Sequence, residues 1–328
     1  MVKKVLIIGY GSIGKRHVSN LLKETNFQII IYTKQKNLKI KNKRVRIFNN
    51  LTKCLDEEPF VGFITNETSL HVSSAITLAK NDIHLFLEKP LSNSIKNISN
   101  LKRIVYDKKL LTLIGCNFRF HPCLKKIKQL IDNKKIGKIL SVQVESGSYL
   151  PDWHPYENYS KGYAARDNLG GGISLTCIHE IDYLYWFFGD VKELFAINGK
   201  FSNLKISTDD LAAIIMRFKN NIIGEVHLDY FQKPDFKRCK IKGSKGVIYW
   251  DSDINQVQMF DIVSNKWKKV FKPKNFTRND MYIEELRHLK KCLRTKSTTI
   301  NDLNEGIKTL EISLAIKRSS KLRKMVKI

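Results

Sequence analysis

The hexapeptide Gly9-Tyr10-Gly11-Ser12-Ile13-Gly14 directly follows the apolar run Val5-Leu6-Ile7-Ile8 and opens an amphipathic stretch, Ser12–Glu24. This strand, G-x-G-x-x-G, helix order constrains the fold more than anything else in the chain. Gly9 permits a tight turn, Gly11 lets backbone approach a pyrophosphate, and Gly14 lets helix and strand pack closely. The start of the helix then offers unpaired N–H groups and a positive dipole end to phosphates. The loop therefore predicts a dinucleotide site at the head of a doubly wound α/β sheet.

The next segments keep that rhythm. Strands are expected at Gln28–Tyr32, Gly62–Thr65, His84–Leu87 and Leu111–Gly115, and helices at Thr52–Glu58, His71–Asn81 and Asn97–Lys108. Strands spaced by helices require crossover connections and a parallel sheet. After Pro122 the pattern changes. A helix over Cys123–Asn133 precedes a long strand, Ile139–Ser148, and a helix over Ile173–Phe188. Six strands follow without intervening helices: Glu193–Phe201, Leu211–Lys219, Ile222–Tyr230, Lys237–Gly243, Val247–Trp250 and Gln256–Ile262. Consecutive strands of this kind favour antiparallel pairing. Helices over Met281–Leu293 and Leu303–Lys321 close the chain. The expected organisation is a Rossmann domain over residues 1–122 and, over 123–328, an α+β domain on one large, mostly antiparallel, open-faced sheet. A chain of 328 residues fits two domains.

Composition narrows the class. With 42% apolar and 27% charged residues the chain is globular. No apolar run approaches the ~20 residues that span a bilayer. The short run after Met1-Val2-Lys3-Lys4 ends in glycines without a cleavage site, so it reads as a first strand in a cytoplasmic protein. The six cysteines are scattered, with no C-x-x-C pair, which argues against a disulfide framework or a metal site. The formal charge of +27 would suit anionic partners, but the lysines are spread along the chain and form no basic arm with interleaved aromatics. No nucleic-acid or membrane partner is expected, while attraction of an anionic substrate stays open.

At the end of the second strand, where a carboxylate would bind the adenosine ribose, the chain has Tyr32-Thr33-Lys34, with Lys36 nearby. A hydroxyl and lysines welcome a 2′-phosphate, which favours NADP over NAD. Two further constellations bear chemistry. Glu88-Lys89-Pro90 lies at the carboxyl edge of the parallel sheet, where ligands bind. The proline restricts Lys89, whose ammonium can bond a substrate oxygen and favour a developing alkoxide. Gly170-Gly171-Gly172 precedes His179-Glu180-Ile181-Asp182 on a helix. His179 has the range to take an alcohol proton, and Asp182, three residues on, could orient it or equally cap or pair elsewhere.

Together these pieces resemble the glucose–fructose oxidoreductase/inositol dehydrogenase (Gfo/Idh/MocA) family over essentially the whole length. The matching segments run in the family's order: Gly9–Gly14, Ile64-Thr65-Asn66 with His71, Glu88-Lys89-Pro90, Asn117-Phe118-Arg119-Phe120-His121-Pro122 and Gly170–His179. The resemblance implies an NAD(P)-linked alcohol/ketone reaction on a sugar or cyclitol. It also implies a cis bond before Pro90, Lys89 in contact with substrate and nicotinamide ribose, and His179 as acid/base. Thr65, Asn66, His71, Glu88 and Asn117 join Gly9–Gly14, Thr33, Lys34 and Lys89 as cofactor contacts, and Arg119 joins the substrate contacts.

One departure stands out. Many members carry an aspartate three or four residues before the histidine, where this chain has Leu175 and Thr176. Thr176 can bond a hydroxyl but carries no charge. The aromatic loop containing Trp153, His154, Tyr159 and Tyr163 resembles a subgroup's substrate loop, since flat rings stack on sugar faces; packing the loop down or forming an oligomer contact would use the same residues. Arg166 could hold a carboxylate or phosphate, which points to a sugar acid or nucleotide sugar. The resemblance further suggests a homodimer or homotetramer through the open sheet face. Two readings compete with a dehydrogenase: a redox-neutral lyase or glycosidase of the same family, and a non-catalytic NAD(P)-binding regulator.

Overall fold

Short apolar runs become central strands where a sheet is covered on both faces. The computed structural model describes residues 3–36, 38 and 40–328. Its first part runs β1 (Lys4–Ile8), α1 (Ser12–Glu24), β2 (Gln28–Tyr32), β3 (Val45–Phe48), α2 (Leu51–Leu55), β4 (Val61–Ile64), α3 (His71–Lys80), β5 (His84–Glu88), α4 (Ile98–Asp107) and β6 (Thr112–Gly115). The strands pair in parallel in the order β3-β2-β1-β4-β5-β6. Val5, Leu6 and Ile7 are fully buried, so β1 reads as a continuous apolar run. Strand order reverses between β1 and β4, and a crevice opens at such a switch point.

Strand β3 escapes the sequence reading because it is a half-exposed edge strand carrying Arg46, which pairs with Glu57. The helix expected over Thr52–Glu58 is shorter and starts earlier, where Asn50 accepts from the Lys53 N–H and caps α2.

The second part contains α5 (Pro122–Asp132), β7 (Ile139–Gly147), α6 (Ile173–Thr176), α7 (Ile178–Phe188), β8 (Val191–Gly199), β9 (Leu211–Phe218), β10 (Ile223–Asp229), β11 (Phe236–Gly243), β12 (Gly246–Asp251), β13 (Gln256–Asp261) and β14 (Lys266–Phe271). α8 (Arg278–Thr295), α9 (Leu303–Leu322) and β15 (Val326–Lys327) complete the chain. The second sheet runs β14-β13-β12-β11-β7-β10-β9-β8-β15 and is antiparallel except for the parallel pair β7–β10. Alternation along β9 shows why it has two unlike faces. Ala212, Ile214, Met216 and Phe218 are buried, whereas Ile215 between them is 54% exposed. Phe188 of α7 packs edge-on against Phe218, and Ser319 of α9 accepts from the Ala196 N–H. β14 was not foreseen, because its lysines, typical of a protected edge, mask the alternation.

The single helix expected over Ile173–Phe188 is two. Apolar periodicity runs through the junction, but Cys177 leaves the helical backbone between α6 and α7. α6 is pinned from outside: Asp209 accepts from the Ser174 N–H and hydroxyl, and its carbonyl accepts from the Ile173 N–H.

Two compact units result, Met1–Cys116 with Arg278–Ile307, and Asn117–Thr277 with Lys308–Ile328. A single boundary at 122 cannot express the return of α8 to the first unit, where Leu286 and Leu289 join the core of Val18, Leu21, Phe63 and Phe86. The segment after α8 covers the β6 edge, with Thr299 donating to the Thr112 carbonyl and the Asn301 carbonyl accepting from the Ile114 N–H. Among the described residues, no helix is long and apolar enough to cross a membrane.

Candidate active site

In the first unit the glycine loop sits against the end of β4. Gly9 has φ +93°, and a Cβ there would lie 2.8 Å from the Asn66 backbone. A Cβ on Gly14 would lie 2.4 Å from the Gly9 carbonyl, so α1 packs as closely as a bare backbone allows. Thr65 ties the turn, its hydroxyl donating to the Gly9 carbonyl at 2.8 Å. A Cβ on Gly11 meets nothing within 4 Å, and no side chain caps α1. The first N–H groups of α1, including those of Ser12 and Ile13, have no intrahelical acceptor. Asn66 donates to Ser74, while its Oδ1 is buried with no hydrogen-bond partner among the described residues. A bare backbone turn and a free helix N-terminus fit a dinucleotide pyrophosphate, while the orphaned Asn66 oxygen fits a hydroxyl or amide donor.

Beyond β2, Thr33 is buried and its hydroxyl accepts from the Gln35 N–H, while Gln35 donates to the Tyr10 carbonyl. Lys34 and Lys36 are exposed. No carboxylate follows the strand.

At the end of β5, Glu88 is buried and bonds two ways. Its Oε1 meets His17 Nε2 at 2.6 Å, and its Oε2 accepts from the Lys89 N–H at 3.3 Å. His17 lies among Phe63, Phe86 and Tyr282. Lys89 is half-buried, and the Lys89–Pro90 bond is cis. His71 is buried between two carbonyls, with Nδ1 2.8 Å from the Pro90 oxygen and Nε2 3.1 Å from that of Asn66. Burial lowers its pKa against the opposing pull of these carbonyls. Glu88 and His71 thus meet the backbone that carries Lys89, Pro90 and Asn66. Sequence reasoning passed over His17, although its place on the buried stripe with Gly14, Val18 and Leu21 was the available signal.

The second unit assembles a different cluster. The 3-10 turn Asn117–Phe120 and helix α7 are locked by a bidentate ion pair: Arg119 Nε and Nη2 each donate to Asp182 at 2.9 Å, and both side chains are 0% exposed. Arg119 and Asp182 are therefore partners of one another in the interior. Asn117 is equally buried, and its Oδ1 has no hydrogen-bond partner among the described residues. Phe118 lies against His179, ring centroids 4.8 Å apart. His121 stacks near Phe118, accepts from the Cys123 N–H, and is pushed down to about 4 by burial. Glu180 is fully buried beside Lys237, which also donates to Ser146 at 2.6 Å.

Thr176 is buried at the end of α6, its N–H donating to the Gly172 carbonyl at 2.8 Å. Gly172 has φ +104°, and a Cβ there would strike Asp209. Burial alone would raise the Asp209 pKa, but Lys317, Asn198 and Ser174 hold it below the ordinary value. The aromatic loop is tied by Trp153, which donates to Ser148 at 2.9 Å and meets Tyr230 edge-on, and by the Asp152–Lys233 ion pair. His154 lies 3.1 Å from the Tyr156 hydroxyl, Tyr163 is half-buried, and the Arg166 side chain is exposed. Among the described residues, no group of three or more His, Cys, Asp or Glu could hold a metal ion.

Comparison with known proteins covers both units. Residues 3–116 match the oxidoreductase family with an NAD-binding Rossmann fold, and residues 124–249 match the GFO/IDH/MocA C-terminal domain. The chain is 24% identical to the myo-inositol 2-dehydrogenase of Thermotoga maritima over 340 residues, 99% of this chain and 98% of that protein. It is 23% identical to the levoglucosan dehydrogenase of Pseudarthrobacter phenanthrenivorans over 222 residues, 60% of this chain and 56% of that one. A solved levoglucosan dehydrogenase in complex with NADH shares the fold, with a TM-score of 0.89 at 18% identity over 100% of this chain and 99% of that chain.

Proposed function

Because this chain belongs to the GFO/IDH/MocA family of oxidoreductases, we propose that it moves a hydride between a nicotinamide and a secondary alcohol or ketone of a sugar, cyclitol, sugar acid or nucleotide sugar. The observation that carries the cofactor half is the turn at Gly11, where a Cβ would meet nothing within 4 Å and no side chain caps the helix that follows. Bound nicotinamide supplies the hydride acceptor or donor. The chain supplies the rest. Lys89 donates a hydrogen bond to the reacting oxygen and stabilises alkoxide character. His179 takes the hydroxyl proton as the carbon is oxidised and returns it in reduction, with Thr176 and Tyr163 assisting by hydrogen bonds. Asp182 acts through its ion pair with Arg119, which fixes the helix bearing His179. Trp153, His154 and Arg166 set the choice of substrate.

The absent carboxylate after β2 and the exposed Lys34 support NADP over NAD. We place the protein in the cytoplasm. Exposed Ile197 and Ile215 on the open sheet face support a homodimer or homotetramer through that face, which light scattering will report.

The test is purification with retained cofactor, identification of that cofactor by mass spectrometry, and assay on a polyol and sugar panel with both cofactors. Lys89→Met should lose at least about 100-fold in kcat/KM. Full turnover by that variant, or a protein that binds neither cofactor, overturns the reading. Turnover without accumulating NAD(P)H would assign the redox-neutral chemistry instead.

A further inference from the structure

In the second unit a lysine that belongs to none of the sequence motifs is bound into the surroundings of His179. Lys237, on β11, places its ammonium 5.3 Å from the centroid of the Phe118 ring. The same ring lies against His179 at 4.8 Å, so cation and imidazole share one aromatic neighbour within about 10 Å of each other. Lys237 also pairs with Glu180, the residue after His179, and donates to Ser146. Glu180 is 0% exposed, and its Oε2 has no hydrogen-bond partner among the described residues. Lys237 is therefore the cation that compensates this buried carboxylate.

We propose that Lys237 is a positioning residue for His179: its ammonium, shared between Glu180, Ser146 and the Phe118 ring, keeps the imidazole unprotonated and ready to accept a proton. The proposal rests on the reading of His179 as the acid–base group. Two effects act in the same direction. An imidazolium against Phe118 would compete with Lys237 for one ring quadrupole. A neutralised Glu180 also exerts little pull towards the charged form of its neighbour, whereas an uncompensated buried carboxylate would exert a strong one. The other charged and titratable groups on the surrounding elements do not substitute for Lys237. Arg119 and Asp182 neutralise one another. His121 is held neutral by burial, and Lys125, Lys126 and Lys128 of α5 are solvent-accessible.

The test is the ring titration of His179 by NMR on histidine-labelled full-length protein, its resonance assigned by its loss in His179→Asn. In Lys237→Met the midpoint should rise by about half to one pH unit. Lys237→Arg should keep it near the wild-type value, Glu180→Gln should lower it, and Glu180→Gln with Lys237→Met should bring it back towards wild type. An unchanged midpoint in Lys237→Met overturns the proposal, as does a double variant that still titrates like Lys237→Met. If Lys237→Met does not fold, the sign in Glu180→Gln decides, and no downward shift there refutes the idea. Turnover of the polyol panel by His179→Asn tests the underlying reading separately: retained activity removes the base role, whatever the titration shows.

Discussion

Replacing Asp182 by asparagine removes one charge from a pair whose side chains are both 0% exposed and joined by two hydrogen bonds of 2.9 Å. The Arg119 guanidinium then stays buried without the carboxylate charge opposite it. Breaking a buried pair from one side costs about 3–5 kcal/mol. With a urea dependence of about 2–3 kcal/mol per molar, the unfolding midpoint should fall by roughly 1–2 M. All four tryptophans, Trp153, Trp186, Trp250 and Trp267, lie in the unit that holds the pair, so their fluorescence reports on the right unfolding event. Replacing both partners by apolar residues of similar size, as in Arg119→Met with Asp182→Leu, should be less damaging than Asp182→Asn alone. A midpoint for Asp182→Asn within about 0.3 M of wild type would refute the reasoning. A stable variant that lost kcat would instead make Asp182 a direct orienter of His179.

Two further outcomes follow from the same structure. Gly11→Ala should leave thermal stability unchanged to within about 0.5 kcal/mol, because its Cβ meets nothing within 4 Å, yet weaken binding of the reduced nicotinamide cofactor at least about tenfold by fluorescence titration. Gly14→Ala should lower both, since its Cβ would lie 2.4 Å from the Gly9 carbonyl. His121 supplies a pH dependence. Held down to about 4 in the folded chain, it binds no proton in the window from about 6.5 to 4 where the unfolded chain does. Stability should therefore fall as pH drops through that window, by up to about 3 kcal/mol, and His121→Asn should remove that part of the slope in urea midpoints measured at pH 7 and 4.5.

The sequence by itself determined the architecture of the first unit. Its central strands, such as β1 and β4, are buried on both faces and read as apolar runs, and the glycine pattern has one structural context that fits it. It also located the segments that carry Lys89, Thr65, Asn66 and His179, because motifs are local. Edge strands β3 and β14 were illegible, since half-exposed strands mix lysine and arginine into the alternation. The break at Cys177 was hidden because Asp209, 32 residues further on, pins α6.

Tertiary structure alone decided who pairs with whom. Arg119 and Asp182 each look like a site residue in sequence, and only folding shows them neutralising each other. Likewise Glu88 is half of a buried contact with His17, and Lys237 reaches Glu180 and Phe118 from a strand with no motif at all. A buried charge needs its partner in space, and nothing in chain order announces a partner 57 or 71 residues away. The glycine loop needed no such partner. Its function lies in what glycine omits, a Cβ, and that omission is written in the chain itself.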